Sequence, residues 1–129
     1  MIAVTALAFL LAVRRPEFVR GLAFMEFVKP LPSWDGFVPS AVEIFQKFRT
    51  PGVGEEMILQ NNFFVEQILP MTIVRELTDE EMSAYRAPFP TPKSRIPTWR
   101  FPNEIPIANE PADVYSSLEK AHEVLAQST

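Results

Sequence analysis

The fold is decided by residues 1–27, MIAVTALAFLLAVRRPEFVRGLAFMEF. Residues 1–13 are almost entirely apolar, and Arg14-Arg15-Pro16 supplies the cations and the proline that commonly end a helix. Residues 18–27 then form a nearly continuous apolar run of strand length, closed by Pro30. An apolar helix, a short turn and an apolar strand predict the second half of a βαβ unit, from which parallel sheets are built.

The predicted strand has no clear partner in the sequence. The nearest candidate is the short stretch at residues 71–75. A strand that is buried on both faces needs neighbours on both edges to pair its backbone groups. The sequence therefore predicts an α/β protein of which this chain is a mostly helical fragment, incomplete at both ends, with a helical insertion after the strand.

The apolar start of the chain is too short to cross a membrane. A helix of that length spans roughly 20 Å, whereas the hydrocarbon core is roughly 30 Å thick. No basic residue precedes it, which argues against a secretory signal peptide. The expected location is the cytoplasm, with the periplasm left open.

Composition excludes several classes of function. The 129 residues include 12 Lys and Arg against 16 Asp and Glu, a net charge of -4, which argues against a nucleic-acid partner. The chain has no Cys and one His, so we expect no metal site and no cofactor.

Residues beyond 40 predict short helices separated by prolines. An amphipathic helix lies behind Pro39. A short helix is then predicted from Asn62 to Leu69, stopped by Pro70. Thr78 and Glu81 form a capping box that opens a third helix. We expect residues 88–98 to be irregular. The last helix should be capped by Asn109, have Pro111 at its first position and bury four apolar residues: Val114, Leu118, Ala121 and Leu125.

Glu26 is the first candidate for chemistry, because it stands at the carboxyl end of the predicted strand. Ligands and catalytic groups gather at this edge of open α/β sheets. A carboxylate buried there must form an ion pair or hydrogen bonds, or else its pKa is raised by desolvation. The alternative is that the Glu26 side chain points into solvent. His122 lies among charged residues of the last helix and is predicted to be a surface residue.

The residues from Gly21 to Asp35, GLAFMEFVKPLPSWD, resemble the strand-to-cap junction of haloalkane dehalogenases in the α/β-hydrolase superfamily. The resemblance continues in the same order through FQKFRT at residues 45–50, FVE at 64–66, YRAPF at 85–89 and WRFPNEIPI at 99–107. It covers roughly residues 5–127. It implies a core segment at residues 1–29, a helical cap at 30–108 and a helix returning to the core at 109–129.

The resemblance implies hydrolysis of a carbon–halogen bond through a covalent ester. In the family an Asp displaces halide, a His activates water against the ester, and a second acid orients that His. Glu26 matches the orienting acid. Five further residues match positions near the halide or lining the apolar pocket: Phe45, Phe64, Phe101, Pro102 and Ile105. Packing inside the cap is the alternative for Phe45, Phe64 and Ile105. The implied partners are a small haloalkane and halide.

The sequence departs from the family where the nucleophile belongs. The resemblance places Asp-Trp-Gly at Ile2-Ala3-Val4, and His122 lies too early to be the catalytic base. We therefore expect the isolated chain to be inactive. We also expect it to be poorly folded or to self-associate, because its apolar helix and strand lack the surfaces that should bury them. A non-catalytic helical module that binds an apolar ligand or a partner protein, the latter through residues 88–92, is the alternative.

Overall fold

Helix α1 (Ile2–Arg14) forms where the apolar run predicts it, and it ends at Arg14 as the following proline requires. The computed structural model describes residues 2–127, with side chains from residue 4 onward. The chain divides into two compact units. The first contains residues 1–39 and 104–129, and the second contains residues 40–103.

The first unit packs α1 against the last helix, α7 (Ala112–Gln127). Its interior contains Phe9 and Ala12 of α1, Leu118 and Ala121 of α7, and Ile107, all 9% exposed or less. Leu31 forms an isolated parallel bridge with Ile107, in which the Leu31 N–H donates to the Pro106 carbonyl at 2.9 Å. The predicted inward face of α7 is thus confirmed at Leu118 and Ala121.

The strand predicted over residues 18–27 does not form. Pro16–Phe18 is a 3-10 turn, and the structure shows no β-ladder from Val19 to Pro30. No described residue offers an adjacent strand, and without a ladder the backbone of this stretch remains irregular. The short stretch at residues 71–75 is not a strand either.

The second unit is helical. Its helices are α2 (Val42–Arg49), α3 (Val53–Glu55), α4 (Leu69–Met71), α5 (Asp79–Arg86) and α6 (Ile96–Asn103). Two π-helical segments, Glu56–Gln60 and Phe64–Ile68, continue α3 and lead into α4. Short 3-10 turns occupy Trp34–Gly36, Pro39–Ala41 and Lys93–Arg95.

Two helix boundaries follow the sequence closely. Helix α2 ends at Arg49, just before Thr50 and Pro51. At the start of α5, the Thr78 hydroxyl accepts from the Glu81 N–H at 3.2 Å, and the Glu81 carboxylate accepts from the Thr78 N–H at 2.9 Å. The predicted capping box is therefore confirmed.

Three other boundaries differ from the sequence predictions. Pro70 lies inside a helical segment that continues to Met71, since the preceding π turn accommodates a residue without an N–H. Residues 96–98 belong to α6 rather than to an irregular stretch. Asn109 has a φ of 63° and does not cap α7, which begins after Pro111.

Gly54 controls the approach of α3 to α2. It is buried, and its N–H donates to the Thr50 carbonyl at 3.0 Å. A Cβ at this position would overlap the carbonyl of Phe48. Only glycine fits this contact. Phe48 itself is 1% exposed and anchors the interior of the second unit together with Ile58 and Val65.

No helix within residues 2–127 is both long enough and apolar enough to span a membrane.

Candidate functional site

Glu26 lies in an exposed turn of the first unit with a φ of 61°. This left-handed conformation is uncommon for a residue with a side chain and marks a constrained backbone. The Thr5 hydroxyl donates to the Glu26 carbonyl at 3.2 Å. No side chain from residues 4–127 is hydrogen-bonded or ion-paired to the Glu26 carboxylate. The prediction of a paired or desolvated carboxylate is therefore wrong for this chain, because the strand that would have buried it is absent.

His122 is not the surface residue that its charged neighbours predicted. Its Nε2 atom lies 3.1 Å from the Val28 carbonyl, and the side chain is half-buried. The ring packs against Phe9 and Phe27, with centroid distances of 5.4 and 5.2 Å. The helical pattern around His122 contains no signal for this contact, since its partners are distant in sequence.

Phe45 and Phe64, two of the predicted pocket residues, meet at the same buried ring. Phe48 lies 5.5 Å from Phe45 and 6.2 Å from Phe64 by ring centroids. Both outer rings are half-buried. The structure thus brings these two residues into one aromatic cluster of the second unit.

Phe101 and Pro102 lie near the end of α6 in that unit. Pro102 is buried, whereas Phe101 is 51% exposed. Asn103 follows them, and its Nδ2 atom donates to the Trp99 carbonyl at 2.7 Å and to the Phe48 carbonyl at 3.3 Å. This amide ties α6 to the end of α2. Ile105 belongs to the first unit and is half-buried, two residues before Ile107, which forms the bridge with Leu31.

A polar cleft of about 470 Å³ in the second unit went unpredicted. The Arg86 Nε and Nη2 atoms each donate to one Glu66 carboxylate oxygen at 2.8 Å. The Arg86 guanidinium thereby lowers the pKa of Glu66 below its ordinary value, while partial burial opposes the shift. Arg95, which also lines the cleft, donates to the carbonyls of Leu59, Gln60 and Phe89. These partners lie on different helices or turns, so no local spacing announces them.

Two buried polar atoms near these elements have no hydrogen-bond partner among the described residues. They are Oδ1 of Asn62, a residue that is 5% exposed with a φ of 52°, and Nε1 of Trp99. A buried polar atom without a partner carries a desolvation cost.

The chain is similar to less than half of the length of longer curated proteins. The haloalkane dehalogenase of Bradyrhizobium diazoefficiens is 58% identical across 97% of this chain, which corresponds to 44% of that protein. The haloalkane dehalogenase of Mesorhizobium japonicum is 53% identical across 97% of this chain and 41% of that protein. No family model matches the chain.

Solved structures give the same result. An ancestral haloalkane dehalogenase, AncHLD2, superposes with a TM-score of 0.90 at 69% identity, and DbeA of Bradyrhizobium elkani USDA94 superposes at 0.90 and 61%. Each match covers 97% of this chain and 44% of that structure. These matches confirm the resemblance and do not favour a separate helical binding module. By sequence and by fold, the chain corresponds to a segment of the haloalkane dehalogenases, proteins of the α/β-hydrolase fold, and it spans about 44% of the length of such relatives.

Proposed function

We propose that this chain supplies part of the core and the cap of an enzyme that hydrolyses haloalkanes to an alcohol and halide. The observation that carries the proposal is the 58% identity to a haloalkane dehalogenase across 97% of the chain. Residues 1–29 would belong to the core, 30–108 to the cap and 109–129 to the returning helix.

The chemistry of the complete enzyme follows from the leaving group. An Asp outside the matched residues of this chain attacks the carbon, the carbon–halogen bond breaks, and halide leaves without needing a proton. A His then takes a proton from water, which attacks the ester carbonyl and releases the alcohol. Donors in a dry pocket hold the departing halide.

Glu26 is proposed as the acid that orients this His. A carboxylate beside the imidazole fixes its tautomer and stabilises the imidazolium that forms during ester hydrolysis. The left-handed backbone at Glu26 supports the assignment, because constrained conformations of this kind cluster at functional positions.

Phe45, Phe64, Phe101, Pro102 and Ile105 are proposed to line the haloalkane pocket. The aromatic cluster around Phe48 supports this for Phe45 and Phe64, since it presents two half-buried rings from different helical segments. An apolar wall of this type excludes water and accepts a small haloalkane.

The proposed partners are the haloalkane and the halide product, and the proposed location is the cytoplasm. We also propose self-association of the isolated chain, supported by the exposed apolar side chains of its first unit.

A segment graft tests the function. Residues 5–127 of this chain replace the matching segment of the Bradyrhizobium diazoefficiens dehalogenase, and halide release is measured with 1-bromobutane and 1,2-dibromoethane. The unaltered relative is the control. We expect the graft to release halide over many turnovers. A graft that folds with the thermal stability of the relative but releases no halide with either substrate contradicts the proposal.

A further inference from the structure

The turn that carries Glu26 is held from one side by helix α1. The hydroxyl of Thr5 reaches the carbonyl oxygen of Glu26 itself at 3.2 Å, across 21 residues of sequence. This contact fixes the peptide group immediately after the left-handed residue. Thr5 is half-buried, so its side chain has less freedom than a residue on the open surface.

The same turn is held from the other side by helix α7. The Val28 carbonyl can only accept, so the Nε2 atom of His122, 3.1 Å away, must carry the hydrogen. The imidazole is itself packed against the rings of Phe9 and Phe27, at centroid distances of 5.4 and 5.2 Å, and these two rings also contact each other at 5.9 Å. Phe9 is 4% exposed, so this contact connects the turn to the interior of the first unit.

These contacts matter because, among the residues that the structure describes, no backbone–backbone hydrogen bond forms within residues 20–30. The structure shows no β-ladder between residues 19 and 30, so sheet hydrogen bonds do not set the direction of Glu26 in this chain. An orienting acid must be held to within about 0.5 Å to fix a histidine. Two side-chain donors from two helices, on carbonyls two residues apart, can supply this constraint.

We propose that Thr5 and His122 are positioning residues, which jointly hold the left-handed turn at Glu26 and so direct its carboxylate. The inference rests on the proposed role of Glu26. Neither residue touches the reacting atoms. His122 acts through the Val28 carbonyl and the Phe27 ring, and Thr5 acts through the Glu26 carbonyl.

The competing explanation is that His122 and Thr5 only fill space in the first unit. Substitutions at both residues distinguish loss of the hydrogen bond from loss of packing. His122→Phe retains an aromatic ring against Phe9 and Phe27 but removes the donor to Val28. His122→Gln retains an N–H donor but removes the ring. Thr5→Val retains the shape of Thr5 without its hydroxyl, and Thr5→Ser is its matched control.

Backbone order parameters from ¹⁵N relaxation of the full 129-residue chain test the proposal without using activity. His122→Phe and Thr5→Val should each lower the order parameters of residues 26–29, from about 0.85 towards about 0.6, because one side-chain contact to a carbonyl of the turn is lost. His122→Gln and Thr5→Ser should restore much of the order. The order parameters of residues 79–86 in the second unit should stay constant and report whether the chain remains folded. Unchanged order parameters at residues 26–29 in both His122→Phe and Thr5→Val overturn the proposal.

The graft then separates this inference from the proposed function. His122→Phe should slow ester hydrolysis by about 3- to 10-fold and leave the initial burst of halide unchanged, if one hydrogen bond is lost from the support of the acid. A loss of the burst with the same change in order parameters would assign His122 to substrate geometry and would contradict positioning of the acid. A parent graft that is inactive, with the expected changes in order parameters, rejects the proposed function but leaves the contacts of Thr5 and His122 with the turn as the support of its backbone.

Discussion

Arg86 and Glu66 form a two-point ion pair between α5 and the π-helical segment Phe64–Ile68, with both nitrogen–oxygen distances at 2.8 Å. The planar guanidinium matches the two carboxylate oxygens, which makes this geometry stronger than a single contact. The pair connects two short helical segments that local hydrogen bonds alone would hold weakly.

Glu66→Gln should therefore lower the free energy of unfolding by about 1 kcal/mol, a value reduced for solvent screening of a partly exposed pair. Urea denaturation followed by circular dichroism measures the change. Glu43→Gln is the matched control, because Glu43 forms an exposed pair with Lys47 within a single helix, α2. Equal destabilisation by both substitutions would show that the bidentate geometry adds nothing.

The interactions of the ionised Glu81 carboxylate stabilise the folded chain, and this stabilisation is lost in acid. The Arg75 guanidinium and then the Thr78 backbone N–H lower the pKa of Glu81 from 4.5 to about 2. Because the folded-state pKa is the lower one, this contribution is complete above about pH 4.5 and is lost as the pH falls towards 2. Carboxyl resonances in an NMR titration should report the low pKa. Arg75→Gln should move it towards 4.5, and a pKa near 4.5 in the unaltered chain would rule out the effect.

The isolated chain should release no halide from 1-bromobutane or 1,2-dibromoethane above the rate in buffer. Ile2 and Ala3 occupy the positions that the resemblance gives to the nucleophile and its neighbour, and their side chains lie outside the described residues. An aliphatic side chain cannot displace halide. Halide titration checks this, and several turnovers per chain that scale with protein concentration would contradict it.

Self-association should begin at the outer face of α1. Val4, Leu7 and Leu11 share this face and are 67%, 59% and 50% exposed, and Met25 adds a side chain that is 87% exposed. Apolar patches of this kind favour association. Sedimentation velocity should detect oligomers that Leu7→Lys reduces. Val74→Lys, at an exposed residue of the second unit, is the control and should have a smaller effect. A sedimentation profile that is monomeric at all protein concentrations would contradict this prediction.

Glu26→Gln in the graft should preserve ester formation and slow ester hydrolysis. An amide cannot stabilise the imidazolium, whereas attack by the Asp transfers no proton. Rapid-quench halide measurement should detect a burst of about one halide per site and then turnover that is slower by about 10²- to 10⁴-fold. Unchanged turnover would remove Glu26 from the catalytic set.

The helical parts of the fold were predictable where the signal is local. The Thr78–Glu81 capping box and the apolar spacing of α2 act within one or two turns, and both predictions are confirmed. The strand over residues 18–27 depends on neighbours, and the prediction is wrong here because no described strand pairs with it.

Contacts between distant residues account for what the sequence could not indicate at the site. The contact of His122 with Val28 spans 94 residues of sequence. The prediction that His122 is a surface residue used only its charged neighbours in the helix, and it was therefore wrong. The Phe45–Phe48 pair, by contrast, follows from helical spacing. The roles of Glu26 and of the pocket residues stay predictions.

Gly54 limits how the aromatic cluster of the second unit can vary. Any side chain at this position would collide with the Phe48 carbonyl and push α3 away from α2, which would also move Phe45. The volume beside Phe48 can therefore be changed by altering the size of residues 45 and 64. It cannot be changed by altering the spacing between α2 and α3. An engineer seeking to accommodate bulkier molecules here should exchange side chains and leave this glycine in place.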